Sequence, residues 1–270
     1  MGSRARVALV GANGHGLWHR RHVAAREDRV ELVALCDPAP IAEPADAPVP
    51  ATARRFTDHR EMLATVSPDI VIICTPPHTH VPIATDALRA GCDVLLEKPP
   101  VLSVAEHHAL ATVLAETGRA VQVGFQALGS RALAMLIEAI QAGTLGSVTG
   151  VAAVASWQRS DAYYARAAWA GRRTVDGRPT LDGALVNPLA HAVMQALVVA
   201  HAASNGTGDP AIRSVELERY RTRPIEVEDT ASLRCALADG PPVAVAVSLC
   251  GEEFIPGEII VHGTDGRAVL

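Results

Sequence analysis

The sequence predicts an α/β fold: a doubly wound, Rossmann-type parallel sheet over residues 1–124, then an α+β domain of mostly antiparallel sheet over 125–270. Three observations predict it. Short apolar runs at 6–10, 30–36, 69–74 and 94–96 alternate with helical stretches, the pattern of parallel strands buried on both faces. A glycine-rich turn, Gly11-Ala12-Asn13-Gly14-His15-Gly16, joins the first run to a helix. Beyond residue 128 apolar residues recur at every second position, at 214–221, 232–237, 243–249 and 258–262, as in a half-buried antiparallel sheet.

The first strand, 6–10, leads through the glycine turn into an amphipathic helix over 17–27. Such a turn offers backbone N–H groups and a positive helix end to a pyrophosphate, and it also serves as a plain strand-to-helix connection. Its spacing departs from Gly-x-Gly-x-x-Gly: Gly11 and Gly16 fit, while Asn13 takes the middle place beside Gly14. The second strand ends in Asp37, 21 positions after Gly16, where a carboxylate accepts a ribose 2′-hydroxyl. That conjunction raises dinucleotide binding above the plain turn and assigns Gly11, Asn13, Gly14, His15, Gly16 and Asp37 to the cofactor. Asp37 repels a 2′-phosphate, so NAD is favoured over NADP; Arg54 and Arg55 are the cations that could offset it.

Five prolines in 38–50 shorten the next helix or replace it by an extended loop. Asp58-x-x-Glu61 reads as a capping box for a short helix, and 69–74 as the fourth strand. It ends in Thr75-Pro76-Pro77-His78-Thr79-His80, and Thr75, Pro76 and His80 are assigned to the nicotinamide side. His78 and His80 could serve as ligands or proton carriers, but a histidine at a helix start more often makes an ordinary hydrogen bond, and no metal site is expected. Ser103-x-x-Glu106 caps a further helix, and 121–126 makes a sixth strand that leaves the domain.

Between these lies Val94-Leu95-Leu96-Glu97-Lys98-Pro99-Pro100, which holds the only lysine among 24 Lys plus Arg. An ammonium trades a proton where a guanidinium cannot, so a composition that keeps one lysine at a strand end marks it for chemistry. An ordinary Glu-Lys surface pair is the competing reading. Prolines after Lys98 fix the chain's exit.

Composition bounds the alternatives. A net charge of −5 argues against nucleic acid, which needs a basic face. The most apolar long run, 192–203, is broken by Gln195 and His201 and falls short of the roughly 20 residues of a membrane span. No basic segment with an apolar core opens the chain. Cys36, Cys74, Cys92, Cys235 and Cys250 are odd in number with no Cys-x-x-Cys pair, as in a cytoplasmic protein with reduced thiols.

In the second half a helix runs to about residue 141. Four of the nine Trp, Tyr and Phe residues, Trp157, Tyr163, Tyr164 and Trp169, then fall within 13 positions among Arg159, Arg166, Arg172 and Arg173. Rings and guanidinium forks suit a hydroxylated or anionic small molecule, and equally a subunit interface. Trp157 and Arg172 are taken as substrate-binding. Residues 181–191 open a helix on which Asn187 and His191, four apart, share a face.

With Gly11–Gly16, Asp37, Glu97-Lys98-Pro99, Val123-Gly124-Phe125-Gln126 and His191 in this order, the sequence resembles the glucose–fructose oxidoreductase / inositol dehydrogenase family over nearly its whole length. The resemblance implies an NAD(P)-dependent dehydrogenase acting on a secondary alcohol of a sugar, inositol or related polyol. It implies that Lys98 binds the reacting hydroxyl and assists its deprotonation, that His191 is general acid or base, and that Glu97 and Gln126 stand at the cofactor. Two departures matter. Asn187 stands where the family commonly has Asp, and an amide positions a hydroxyl without taking its proton. Family members also continue beyond residues 266–270, so either a fragment or an unusually short homologue is expected, with homo-oligomerisation through the second domain's sheet if that sheet is complete. A non-catalytic NAD(P)-binding sensor and a redox-assisted glycosidase are the alternatives on this scaffold.

Overall fold

The computed structural model describes residues 3–204 and 211–270. The chain divides into two compact units, Met1–Gly124 and Phe125–Leu270.

In the first unit, β1 (Ala5–Val10), β2 (Val30–Cys36), β3 (Arg54–Phe56), β4 (Ile70–Ile73), β5 (Asp93–Leu96) and β6 (Val121–Val123) form one sheet, and every pairing in it is parallel. Its order is β3-β2-β1-β4-β5-β6, which reverses between β1 and β4. Ligands of open sheets bind beyond the strand ends at such a reversal. Helices α1 (Gly16–Ala24), α2 (His59–Val66), α3 (His80–Arg89) and α4 (Val104–Thr117) accompany the strands. Successive residues of β1 enter two different cores, Ala8 and Val10 packing with Ile73, Leu88 and Leu96, and Val7 and Leu9 with Leu32, Leu35 and Ile72. Burial of both faces is why these strands read as apolar runs. Both expected caps form. Asp58 accepts the N–H groups of Arg60 and Glu61 at 2.8 and 3.0 Å. Ser103 accepts that of Glu106 at 3.1 Å, while the Glu106 carboxylate reaches back to Leu102 N–H at 2.6 Å.

No helix forms between β2 and β3. The proline-rich stretch is an irregular loop pinned from α1 and the glycine turn. Arg20, 1% exposed, donates to the carbonyl oxygens of Ala42 at 2.6 Å and of Ala47. Arg21 pairs with Asp46 at 2.7 Å, and the Asn13 amide donates to Pro40 O at 3.2 Å and accepts from Ala42 N–H at 2.9 Å. Arg20→Met keeps the stem's bulk and strands the buried Ala47 carbonyl, so it is expected to destabilise the first unit by about 1–3 kcal/mol in urea unfolding. A loss below about 0.5 kcal/mol, the scale of an ordinary surface change, would show that Arg20 does not hold the loop.

The second unit begins with a 3-10 turn, Gln126–Gly129, and α5 (Arg131–Gln141). There follow β7 (Val148–Gln158), α6 (Asp161–Ala165), the short hairpin β8 (Thr174–Val175) and β9 (Arg178–Pro179), and α7 (Ala190–Ala203). The last strands are β10 (Ile212–Tyr220), β11 (Thr230–Leu237), β12 (Val243–Ser248), β13 (Cys250–Gly263) and β14 (Arg267–Val269). The main sheet has the order β10-β11-β12-β7-β13-β14, and only β12 with β7 is parallel. Leu133, Leu136 and Ile140 of α5 and Ala196 and Val199 of α7 share a core with Val151, Ala153 and Ala155 of β7. β7 lies within the sheet, yet the periodicity argument did not single it out. Its alternating residues are Val and Ala, so the contrast between its faces is small.

Candidate active site

The glycine turn is closed inward and open outward. A Cβ on Gly11, whose φ is +85°, would lie 2.2 Å from Cys74 O, and one on Gly16 would lie 2.0 Å from Gly11 O. Gly14, at φ +56°, meets nothing within 4 Å. Among the described residues no hydrogen bond engages the N–H of Gly14 or His15, which stand just ahead of α1. Asp37 accepts from Asn13 N–H at 3.1 Å and Ala39 N–H at 3.0 Å, which fixes its carboxylate beside the turn. Arg55 is paired with Glu43 at 2.5 Å and Arg54 lies over the Phe56 ring at 5.2 Å.

At the end of β5, Glu97 and Lys98 follow the buried Leu96. Lys98 is half-buried, and its charge draws down the pKa of the Cys74 thiol, which burial and then Glu97 nevertheless push up to about 12. The Glu97 carboxylate accepts from Lys98 N–H at 3.2 Å and lies 2.9 Å from His19 Nε2 and 3.7 Å from His15 Nε2. A carboxylate only accepts, so His19 donates. Burial pushes Glu97 up, but hydrogen bonds from His15 and His19 outweigh it and hold the carboxyl well below the usual carboxylate range. A group depressed in this way contributes stability above about pH 4.3, its unfolded value, and loses it as pH falls below that. Glu97→Gln is therefore expected to cost about 2 kcal/mol at pH 7 and to flatten the fall in stability below about pH 4.5. An unchanged acid limb in urea titrations would contradict the assignment.

In the second unit, Asp182 has a side chain only 1% exposed. It accepts from Gly171 N–H at 2.8 Å and from Asn187 Nδ2 at 2.5 Å, and stands 3.5 Å from Arg166 Nη2. This orients the Asn187 amide with its nitrogen toward the carboxylate. His191, in the first turn of α7, packs edge-to-face against Phe125 with ring centroids 5.6 Å apart. Trp157 donates its indole N–H to Pro256 O at 3.2 Å.

Residues 5–125 match the profile described as "Oxidoreductase family, NAD-binding Rossmann fold". The first unit is a Gfo/Idh/MocA-type NAD-binding domain. It is 31% identical over 147 residues to D-glucoside 3-dehydrogenase of Escherichia coli K12, which is 54% of this chain and 42% of that enzyme. It is 35% identical over 145 residues to inositol 2-dehydrogenase 4 of Saccharopolyspora erythraea, 52% of this chain and 42% of that one. The matched stretch thus spans about two fifths of these curated relatives. Among solved structures, the WlbA dehydrogenase of Bordetella pertussis in complex with NADH and UDP-GlcNAcA superposes with a TM-score of 0.84 at 26% identity, covering 99% of this chain and 78% of that one.

This Gfo/Idh/MocA-type unit fits NAD. An open turn at Gly14, N–H groups ahead of α1 and a fixed carboxylate at the end of β2 are what a diphosphate and a ribose require.

The structure corrects one site expectation, the shared helical face of Asn187 and His191, and places the other site residues. His80 is 1% exposed, and its ring nitrogens reach Thr75 O and Pro99 O at 2.8 Å each, so it ties the end of β4 to the chain leaving Lys98. Arg172 pairs with Glu226 at 2.6 Å. Asn187 and His191 do not share a helical face, because α7 begins at Ala190 and Asn187 lies in the turns before it. Pro188 is the reason, since the residue before a proline is held out of the helical region. Thr75 is bonded through its hydroxyl to Thr79 at 2.7 Å, Pro76 starts the short turn before α3, and Gln126 opens the second unit. The sequence reading missed His19 and Asp182. A lone aspartate in the apolar stretch 181–191 was a signal for Asp182; His19 offered none, because its partner is 78 residues away.

Proposed function

We propose that the chain is an NAD-dependent oxidoreductase acting on a secondary alcohol of a sugar, inositol or related polyol. The observation that carries this reading is Lys98, the chain's single lysine, half-buried where β5 ends, in a domain of the NAD-binding family. NAD, when bound, supplies the hydride acceptor. The N–H groups of Gly14 and His15 and the dipole of α1 hold its diphosphate, Asp37 its ribose, and Thr75 and Pro76 line the nicotinamide side. Lys98 binds the reacting hydroxyl and lowers the cost of removing its proton, with Glu97 fixing the backbone from which it projects. His191 is the general acid or base, and Asn187, fixed by Asp182, orients a hydroxyl without taking its proton. D-glucoside 3-dehydrogenase and inositol 2-dehydrogenase as relatives support the substrate class. Val215 and Leu217 of β10 are about half exposed, at 52% and 46%, which supports association with a second copy through this sheet. Among the described residues no helix is long and apolar enough to cross a membrane.

The test is absorbance at 340 nm with NAD and a panel of sugars and cyclitols. The reading expects a rise with at least one polyol. Binding of NAD with reduction by none would make the chain a sensor, and release of an aglycone without net NADH would make it a redox-assisted glycosidase.

A further inference from the structure

The aromatic and arginine residues around α6 form a single ladder. Phe254 stacks on Trp157 with centroids 6.5 Å apart and planes at 21°. The Arg159 guanidinium lies 4.8 Å from the Trp157 centroid and 4.9 Å from that of Tyr163. Arg166 lies 3.6 Å from Tyr163 on its own side and 4.8 Å from Trp169. Rings and guanidinia thus alternate, which holds each fork rigid and partly desolvated.

The charges along this ladder do not balance. Arg166 has the Asp182 carboxylate at 3.5 Å, Arg172 has Glu226, and Arg223 has Asp161. Among the described residues no ion pair takes up Arg159, whose side chain is left to hydrogen-bond the Tyr163 phenol. Burial, then Asp182, raise the Tyr163 phenol above its usual range, so it supplies no negative charge at neutral pH. A half-buried guanidinium held between two rings, with no carboxylate to answer its charge, suits an oxyanion, which its terminal N–H groups can meet in charge-assisted hydrogen bonds. The ladder's far end touches Asp182, which holds Asn187, so this cation lies in the same unit and the same network as the proposed substrate contacts.

We propose that Arg159 is an anion-recognition residue, and that the sugar or cyclitol this chain takes carries a carboxylate or a phosphate. This rests on the polyol reading above for the rest of the ligand, while the charge requirement stands on the ladder alone.

Isothermal titration of the full chain with D-glucuronate, D-glucose 6-phosphate and D-glucose tests it. At least one anionic sugar should bind about tenfold or more tightly than glucose, the scale of a charge-assisted bidentate pair. Glucuronate in the lead identifies a carboxylate, and the 6-phosphate a phosphate. Arg159→Met should bring the anionic-to-neutral ratio to within about twofold of one. Should that variant fail to fold, Arg159→Gln is read in the same way. A wild-type ratio near one, no binding by any of the three, or a ratio unchanged by either variant would overturn the proposal. Failure here is separable from failure of the dehydrogenase reading. Arg159-dependent binding without NAD reduction sinks only the latter, and reduction by neutral polyols with no charge preference sinks only this one.

Discussion

Lys98→Arg is expected to lower kcat by about 10²–10⁴-fold while leaving NAD affinity within about threefold of wild type. The substitution keeps the positive charge and much of the length, so it separates attraction for an oxygen from the exchange of a proton with it. The lysine stands where β5 ends, and its backbone N–H is tied to the Glu97 carboxylate at 3.2 Å, so the position from which the side chain starts is fixed. Steady-state rates at 340 nm, paired with a fluorescence titration of NADH, read the two quantities separately. Wild-type turnover in the arginine variant would remove the lysine from the chemistry.

Asp37→Ala should weaken NAD binding by about 10–150-fold, the range of a lost hydrogen bond to a charged group. The carboxylate also anchors Asn13 and Ala39 N–H groups, so some of that loss comes from the turn relaxing. Asp37→Asn, which keeps an acceptor and removes the charge, distinguishes the two. It keeps one of the two backbone bonds, so it should lower the melting temperature less than alanine does, and it should narrow the preference for NAD over NADP because the 2′-phosphate is no longer repelled. NADH fluorescence titrations check both variants. An affinity unaffected by Asp37→Ala would end the ribose assignment.

The first unit was legible because its strands are buried on both faces and its turn must bend at Gly11 and pack tightly at Gly16; both constraints are written locally in residue type. The proline loop was legible as the absence of a helix, but not the buried Arg20 that anchors it, since an arginine on a helix normally reads as solvated. In the second unit the sheet was recognised from β10 to β13, whereas β7 escaped because valine and alanine alternate there. The candidate site was legible where chemistry is rare, as with one lysine among arginines. It was not legible where partners are distant in sequence: Glu97 with His19, Trp157 with Phe254, and His80 with Pro99 O are contacts that only the fold creates.

The most direct measurement is the mass of the NADH formed when a polyol active in the absorbance panel carries deuterium at its reacting carbon. Direct transfer from that carbon to the nicotinamide predicts NADH one mass unit heavier than from the unlabelled polyol. NADH of unchanged mass would contradict the account, since the alcohol carbon would not then be the source of the hydride.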